Sequence, residues 1–108
     1  SAYIIILGDK DISQSFGCDH GIASQNILLG AAEKGLGGCI IGLINRSELR
    51  KRLNIPLRYK ILLVIALGVP REKVKIENVE PGRDIKYWRD QADIHHVPKR
   101  SLDEIIID

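Results

Sequence analysis

The residues best equipped for chemistry are a glycine cluster and a basic pair near the end of the chain. Glycines stand at positions 35, 37, 38 and 42, where a backbone without side chains can come close to a flat surface. The same cluster also reads as a helix stop followed by a tight turn. Its spacing is not G-x-G-x-x-G after a strand, so a Rossmann dinucleotide site is not supported. Lys99 and Arg100 are adjacent; a guanidinium grips phosphate through two parallel hydrogen bonds, and an ammonium adds a point charge. By base rate they are a solvated pair ahead of a short helix.

Other candidates are weaker. His95 and His96 adjoin, so in an extended segment they point to opposite faces and do not share a metal; with His20 far away and no matching cysteines, no zinc site is expected. Arg46, Arg50, Lys51, Arg52, Arg58 and Lys60 form a basic stretch suited either to nicotinamide-dinucleotide phosphates or to the solvated face of a short helix. The second reading is preferred. Tyr87 and Trp88 suit packing more than a substrate pocket. Cys18 and Cys39 lie in no C-x-x-C or secreted pattern, so both read as reduced thiols, Cys39 as a buried inert one.

These residues need elements to position them. Ala2 to Leu7 is apolar and β-branched, a strand covered on both faces that Gly8-Asp9 ends. Asp19 reads as the N-cap of a helix running to about Lys34 and stopped by Gly35, apolar enough to be buried on more than one face. Ala23, Ile27, Gly30 and Ala31 share one side of it, and their mostly small side chains suit a homodimer contact. Cys39 to Ile41 forms a short extended segment. Asn45 with Glu48 forms a capping box opening a short helix whose Leu49 and Leu53 face the core, before Asn54 and Pro56 stop it. Tyr59 to Leu67 is apolar without alternation, the signature of a central strand. From Arg71 onward the sequence is charged, with no sustained period until Leu102 to Ile107, and reads as an arm.

Composition limits the function classes. A net charge of +2 and 5% aromatic content argue against nucleic acid, which calls for a basic surface with interleaved aromatics. The longest apolar run, Ile61 to Leu67, is too short to cross a bilayer, and the first residues of this sequence lack a charged region followed by a cleavage site. A soluble, cytoplasmic protein without membrane or nucleic-acid partners is expected. A strand beginning at residue 2 suggests that a segment upstream has been removed.

Four blocks, in order, carry a family likeness: Asp19-His20-Gly21-Ile22-Ala23-Ser24-Gln25-Asn26-Ile27-Leu28-Leu29, Gly35 to Gly42, Ala66-Leu67-Gly68-Val69-Pro70, and Pro98 to Ile105. Together they resemble the carboxy-terminal portion of FMN-dependent nitroreductases. The resemblance implies an α/β (α+β) fold, a nitroreductase-like mixed sheet flanked by helices with an extended C-terminal arm. Residues 1–108 would form a single, incomplete domain lacking its N-terminal segment, with core strands and helices in 1–70 and the arm in 71–108.

The resemblance further implies a homodimer with FMN at the subunit interface. Backbone N–H groups of Ile41 and Gly42 would lie near N5 and O4 of the flavin, stabilising negative charge on the reduced ring. Lys99 and Arg100 would contact the FMN phosphate. No catalytic side chain and no metal are implied, since the flavin carries the chemistry. The expected activity is NADH- or NADPH-dependent reduction of nitroaromatic, quinone or similar small-molecule acceptors by ping-pong hydride transfer. The arginine- and serine-rich opening segment of the family has no match in this sequence. Two other readings stand beside this one: a non-catalytic fragment or α/β association module, and a flavin-fold relative with other chemistry such as dehalogenation.

Overall fold

The computed structural model describes residues 1–107. The chain divides into two compact units, Ser1–Pro70 and one beginning at Arg71. The class is α+β, as the sequence implies.

In the first unit, β1 (Ala2–Asp9), α1 (Asp19–Glu33), β2 (Gly37–Ile41), α2 (Arg46–Leu53) and β3 (Tyr59–Gly68) build a three-stranded sheet in the order β1-β3-β2. Both outer strands run antiparallel to β3. The non-alternating run of β3 takes the central place, with β1 and β2 on its two edges and α1 against it. Ile65 and Ile61 are 0% and 1% exposed, and with Val64 and Ala31 they make the apolar core. Full burial of each isoleucine contributes about 1.5–3 kcal/mol.

The β1–β3 register shifts between Ile6 and Leu7, pairing Ile6 with Leu63 and Leu7 with Ile61, so Leu62 is an extra residue in β3. The β2–β3 ladder stops at the Ile41–Val64 pair. Beyond it, residues 59–63 of β3 have no strand on that side.

Helix α1 ends as its glycine dictates. Gly35 has φ +71°, the Leu36 N–H donates to the Ala31 carbonyl and the Gly35 N–H to the Ala32 carbonyl, both at 2.9 Å. This is a complete Schellman stop. At the other end Cys18 is the N-cap, without a side-chain cap bond, and Asp19 is the first helical residue. The helix buries one face only: Ser24 and Ala31 are buried, whereas Ile22 and Leu29 are 61% and 58% exposed. Burial on several faces is therefore not met within this chain, because a three-stranded sheet covers only one side of a helix. Ala31, expected in an intersubunit stripe, is buried in the chain's own core.

The α2 cap forms in part. Asn45 Oδ1 accepts from the Glu48 N–H at 3.2 Å, but the Glu48 carboxylate turns to Arg52 Nε at 2.8 Å. Asn54 (φ 52°) closes the helix in the left-handed region. Leu49 is half-buried and Leu53 exposed, so only the former faces inward.

Residues from Arg71 onward, which show no sustained period in the sequence before Leu102, carry three strands: β4 (Lys73–Asn78), β5 (Trp88–Arg89) and β6 (Ile94–Lys99), in the order β4-β6-β5. β4 and β6 are parallel, and β5 is antiparallel to β6. A four-residue helix, α3 (Leu102–Ile105), follows. Among the described residues of this unit only Pro98 is buried.

Candidate functional site

The glycines between 35 and 42 serve different ends. Gly35 is the helix stop. A Cβ on Gly38 would collide with Leu28 Cδ2, and would stand 2.7 Å from Leu67 Cδ2 and 3.0 Å from the Ala66 carbonyl oxygen, so this glycine lets α1 lie against β2. A Cβ on Gly37 would press on Pro70 at 3.2 Å. Gly42 differs: a Cβ there would meet only Leu63 Cδ2, at 3.9 Å, and its φ lies outside the left-handed region. Neither space nor conformation within the chain requires glycine at 42.

Ile41 ends β2, and Gly42 is the first residue beyond the ladder. As β2 has a neighbour on one side only, alternate residues along it turn N–H and C=O outward, away from the sheet. This strand end thus offers backbone donors at an open edge.

Five of the six residues of the basic stretch are exposed and Arg50 is half-buried, so the stretch is largely the solvated surface expected, but two of its guanidinium groups also turn back onto the chain. Arg46 Nε donates to the Ile61 carbonyl at 3.0 Å, and its Nη2 donates to the Leu62 and Gly42 carbonyls at 3.2 and 3.3 Å. Arg50, one turn on, donates from Nη1 to the Ile55 and Pro56 carbonyls at 2.9 and 2.6 Å and from Nη2 to Tyr59 at 2.6 Å. The Arg46 guanidinium meets carbonyls of β3 beyond the end of β2, and that of Arg50 ties the loop before β3 to the strand's first residue. Arg52 pairs with Glu48, and Arg58 with Asp9 and Asp11. The Arg58 hydrogen bond holds the Asp9 carboxyl below its usual range, aided by the Asp11 N–H, while partial burial opposes the shift. Four of the six cations are thereby committed to the chain itself. Sequence reasoning missed Arg46 and Arg50; their spacing of four places both on one helix face, but their acceptors are fixed by where β2 ends.

Lys99 closes β6 opposite Asn78, and its carbonyl accepts from the Val79 N–H at 3.1 Å. Arg100 Nε lies 3.8 Å from Glu104 Oε1 with half its side chain exposed. Ile41 and Gly42 belong to the first unit, Lys99 and Arg100 to the second.

His95 and His96 take different partners. His95 Nδ1 is 2.8 Å from Glu72 Oε1, and its ring meets Tyr87 edge-on at 5.1 Å. His96 Nδ1 is 2.6 Å from Glu77 Oε1 and its Nε2 3.1 Å from Asp90 Oδ2, with the ring stacked on Trp88 at 4.9 Å. The hydrogen bond to Asp90, then that to Glu77, raises the His96 pKa against a small desolvation cost. Glu77 is lowered chiefly by Lys75 and then by His96, and Asp90 chiefly by His96 and then by the Ile94 N–H. Tyr87 and Trp88 thus pack on histidines of their own unit. No group of three or more His, Cys, Asp or Glu side chains among the described residues could hold a metal.

Cys18 and Cys39 are both free and exposed; Cys39 is not the buried thiol expected, because it lies on an edge strand. A cleft of about 400 Å³ between β1 and α1 is lined by residues including Leu7, Phe16, Asp19 and His20. His20 Nδ1 is buried there without a partner. Among the described residues no helix is long and apolar enough to cross a membrane.

A helix laid on an antiparallel sheet, with a glycine at the free end of the edge strand, defines an α+β domain with a backbone-built candidate site. The chain belongs to the nitroreductase family, whose model matches residues 3–69. That match lies within the first unit, so Lys99 and Arg100 fall outside it. Among solved structures the chain is similar to an FMN-dependent nitroreductase from Clostridium difficile R20291, at 30% identity and a TM-score of 0.60, over 66% of this chain and 46% of that one. The chain spans less than half the length of that protein. No curated protein matches it.

Proposed function

We propose that this chain is the flavin-facing part of an FMN-dependent oxidoreductase that uses NADH or NADPH to reduce nitroaromatic, quinone or similar acceptors. The observation that carries the reading is Gly42, a glycine at the end of an edge strand for which the chain has no steric or conformational need. The family match, and the similarity to a protein described as FMN-dependent, support the same cofactor.

When bound, FMN supplies the electron-transfer chemistry. The Ile41 and Gly42 backbone supplies donors at the ring, where preorganised N–H groups favour negative charge. Gly42 keeps side-chain bulk away from the ring plane. Lys99 and Arg100 hold the phosphate, and among the described residues neither is locked in a close ion pair: Arg100 stands 3.8 Å from Glu104. No side chain of this chain moves a proton in the scheme. The working unit is a homodimer completed by a segment outside this sequence, and the apolar Ile22 and Leu29 on the outer face of α1 are suited to such a contact.

The same exposed residues favour a second reading, in which the chain is a non-catalytic association module. The visible spectrum of the purified chain with added FMN, taken together with its intact mass, separates the two. A perturbed flavin band, with flavin reduction impaired by Gly42→Val while the circular dichroism is retained, supports the first. A spectrum identical to free FMN, or normal reduction in Gly42→Val, removes the flavin from this strand end.

A further inference from the structure

We infer that Arg46 is a positioning residue for the backbone donors at Ile41 and Gly42, an inference that rests on the flavin reading above. Glycine has the widest backbone freedom of any residue, and Gly42 stands where the β2–β3 ladder has ended. Left to itself, such a residue would sample several peptide orientations, and donors that must reorient stabilise developing charge less than donors already in place. Something must hold it.

The Arg46 guanidinium does so from a fixed base. Arg46 is the first residue of α2, directly after Asn45, whose side chain is held by the Glu48 N–H at 3.2 Å and by Ser47 Oγ at 2.9 Å. Its Nη2 reaches the Gly42 carbonyl at 3.3 Å and the Leu62 carbonyl at 3.2 Å, while Nε reaches Ile61 at 3.0 Å. Ile61 and Leu62 sit at the register shift of the central strand, and Ile61 is fully buried. One planar fork therefore ties the Gly42 carbonyl to the central strand past the last β2–β3 pair. A lysine cannot reproduce this, because its ammonium is one point rather than a planar fork. Arg52, on the same helix, pairs only with Glu48 at the surface and provides the control.

The test uses the full chain with Arg46→Ala, Arg46→Lys and Arg52→Ala. Backbone 15N order parameters are measured first without flavin, and then the midpoint potential and spectrum of bound FMN. In Arg46→Ala, the order parameters at Gly42 and Leu43 fall into the flexible range, below about 0.6, as the charge-assisted hydrogen bond to the Gly42 carbonyl is lost, while Ile4 and Ile65 stay near about 0.85. The bound FMN becomes harder to reduce. Arg46→Lys, which keeps the charge and serves if the alanine variant does not fold, shows the same changes in weaker form, and Arg52→Ala shows neither.

A fall in order with an unchanged potential overturns the inference and leaves Arg46 a structural brace. Full rescue by lysine overturns the planar-fork argument. If the unaltered chain leaves the FMN spectrum unchanged, the flavin reading fails and this role fails with it, while the flavin-free order parameters still decide whether Arg46 holds Gly42.

Discussion

Two glycines eight positions apart should respond to the same substitution with opposite sign. Gly38→Ala places a methyl group against Leu28 Cδ2, 2.7 Å from Leu67 Cδ2 and 3.0 Å from the Ala66 carbonyl oxygen. The leucines can move, but the carbonyl belongs to the central strand and cannot. Overpacking of this kind costs about 1–3 kcal/mol, and the lower freedom of the unfolded chain returns about 0.4–1 kcal/mol, leaving a net loss of about 1.3 kcal/mol at the midpoints of the two ranges. Gly30→Ala, inside α1 with nothing within 4 Å of the new Cβ, gains helix propensity of about 0.8–1 kcal/mol. At about 4–8 °C per kcal/mol for a domain of this size, the two melts should move apart in opposite directions. Helical circular dichroism follows the first unit, since α1 and α2 supply most of the helix. A Gly38→Ala chain as stable as the parent would refute the packing of α1 on β2. A loss at Gly30 would show that this helix surface is covered in solution.

Three further outcomes are expected. Lys99→Ala with Arg100→Ala weakens FMN affinity, measured by titration of the flavin spectrum, and an unchanged affinity takes the phosphate role from both residues. His96 is clasped between Glu77 and Asp90, with Lys75, Glu72, Arg89 and His95 as the neighbouring charged or titratable groups. Its raised pKa stabilises the second unit fully below the ordinary imidazole value, and this support is lost as pH climbs through the raised value. On the acid side, the lowered Glu77 and Asp90 lose their contribution as pH falls through their depressed values. The stability of that unit therefore peaks between the carboxylate and imidazole ranges. Emission from Trp88, the chain's one tryptophan, reports this directly, and a titration that persists in His96→Gln would discard the clasp. Gly42→Val retains the fold, because a Cβ at that position meets only Leu63 at 3.9 Å; circular dichroism checks it.

What the sequence made legible was local. The β3 run announced a central strand because it lacks alternation, Gly35 announced the end of α1, and Asn45 announced the start of α2. Burial of α1 was harder to read, since hydrophobicity says that faces want cover but not whether this chain supplies it; Ile22 and Leu29 remain exposed. The strands after Arg71 were hidden for a related reason. In Lys73-Val74-Lys75-Ile76-Glu77 the alternation is present but short, β5 has two residues, and β4 finds its partner in β6 only after a long connection. The roles of Arg46 and Arg50 were not legible at all. Their acceptors are backbone carbonyls, some in β3 beyond the end of β2 and others in the loops at Gly42 and at Ile55-Pro56, a fact of tertiary structure with no residue-type signature.

The outer edge of β1 has its own consequence for handling the molecule. Tyr3-Ile4-Ile5-Ile6-Leu7 is a charge-free, proline-free run on an edge strand, with Tyr3 exposed. Such an edge presents a row of unsatisfied hydrogen-bonding groups that a second chain can complete, and a segment of this composition is the usual nucleus of cross-β growth. The strand that flanks the core is therefore also the seam along which concentrated samples would polymerise, with Asp9 and Lys10 the nearest charges to interrupt it.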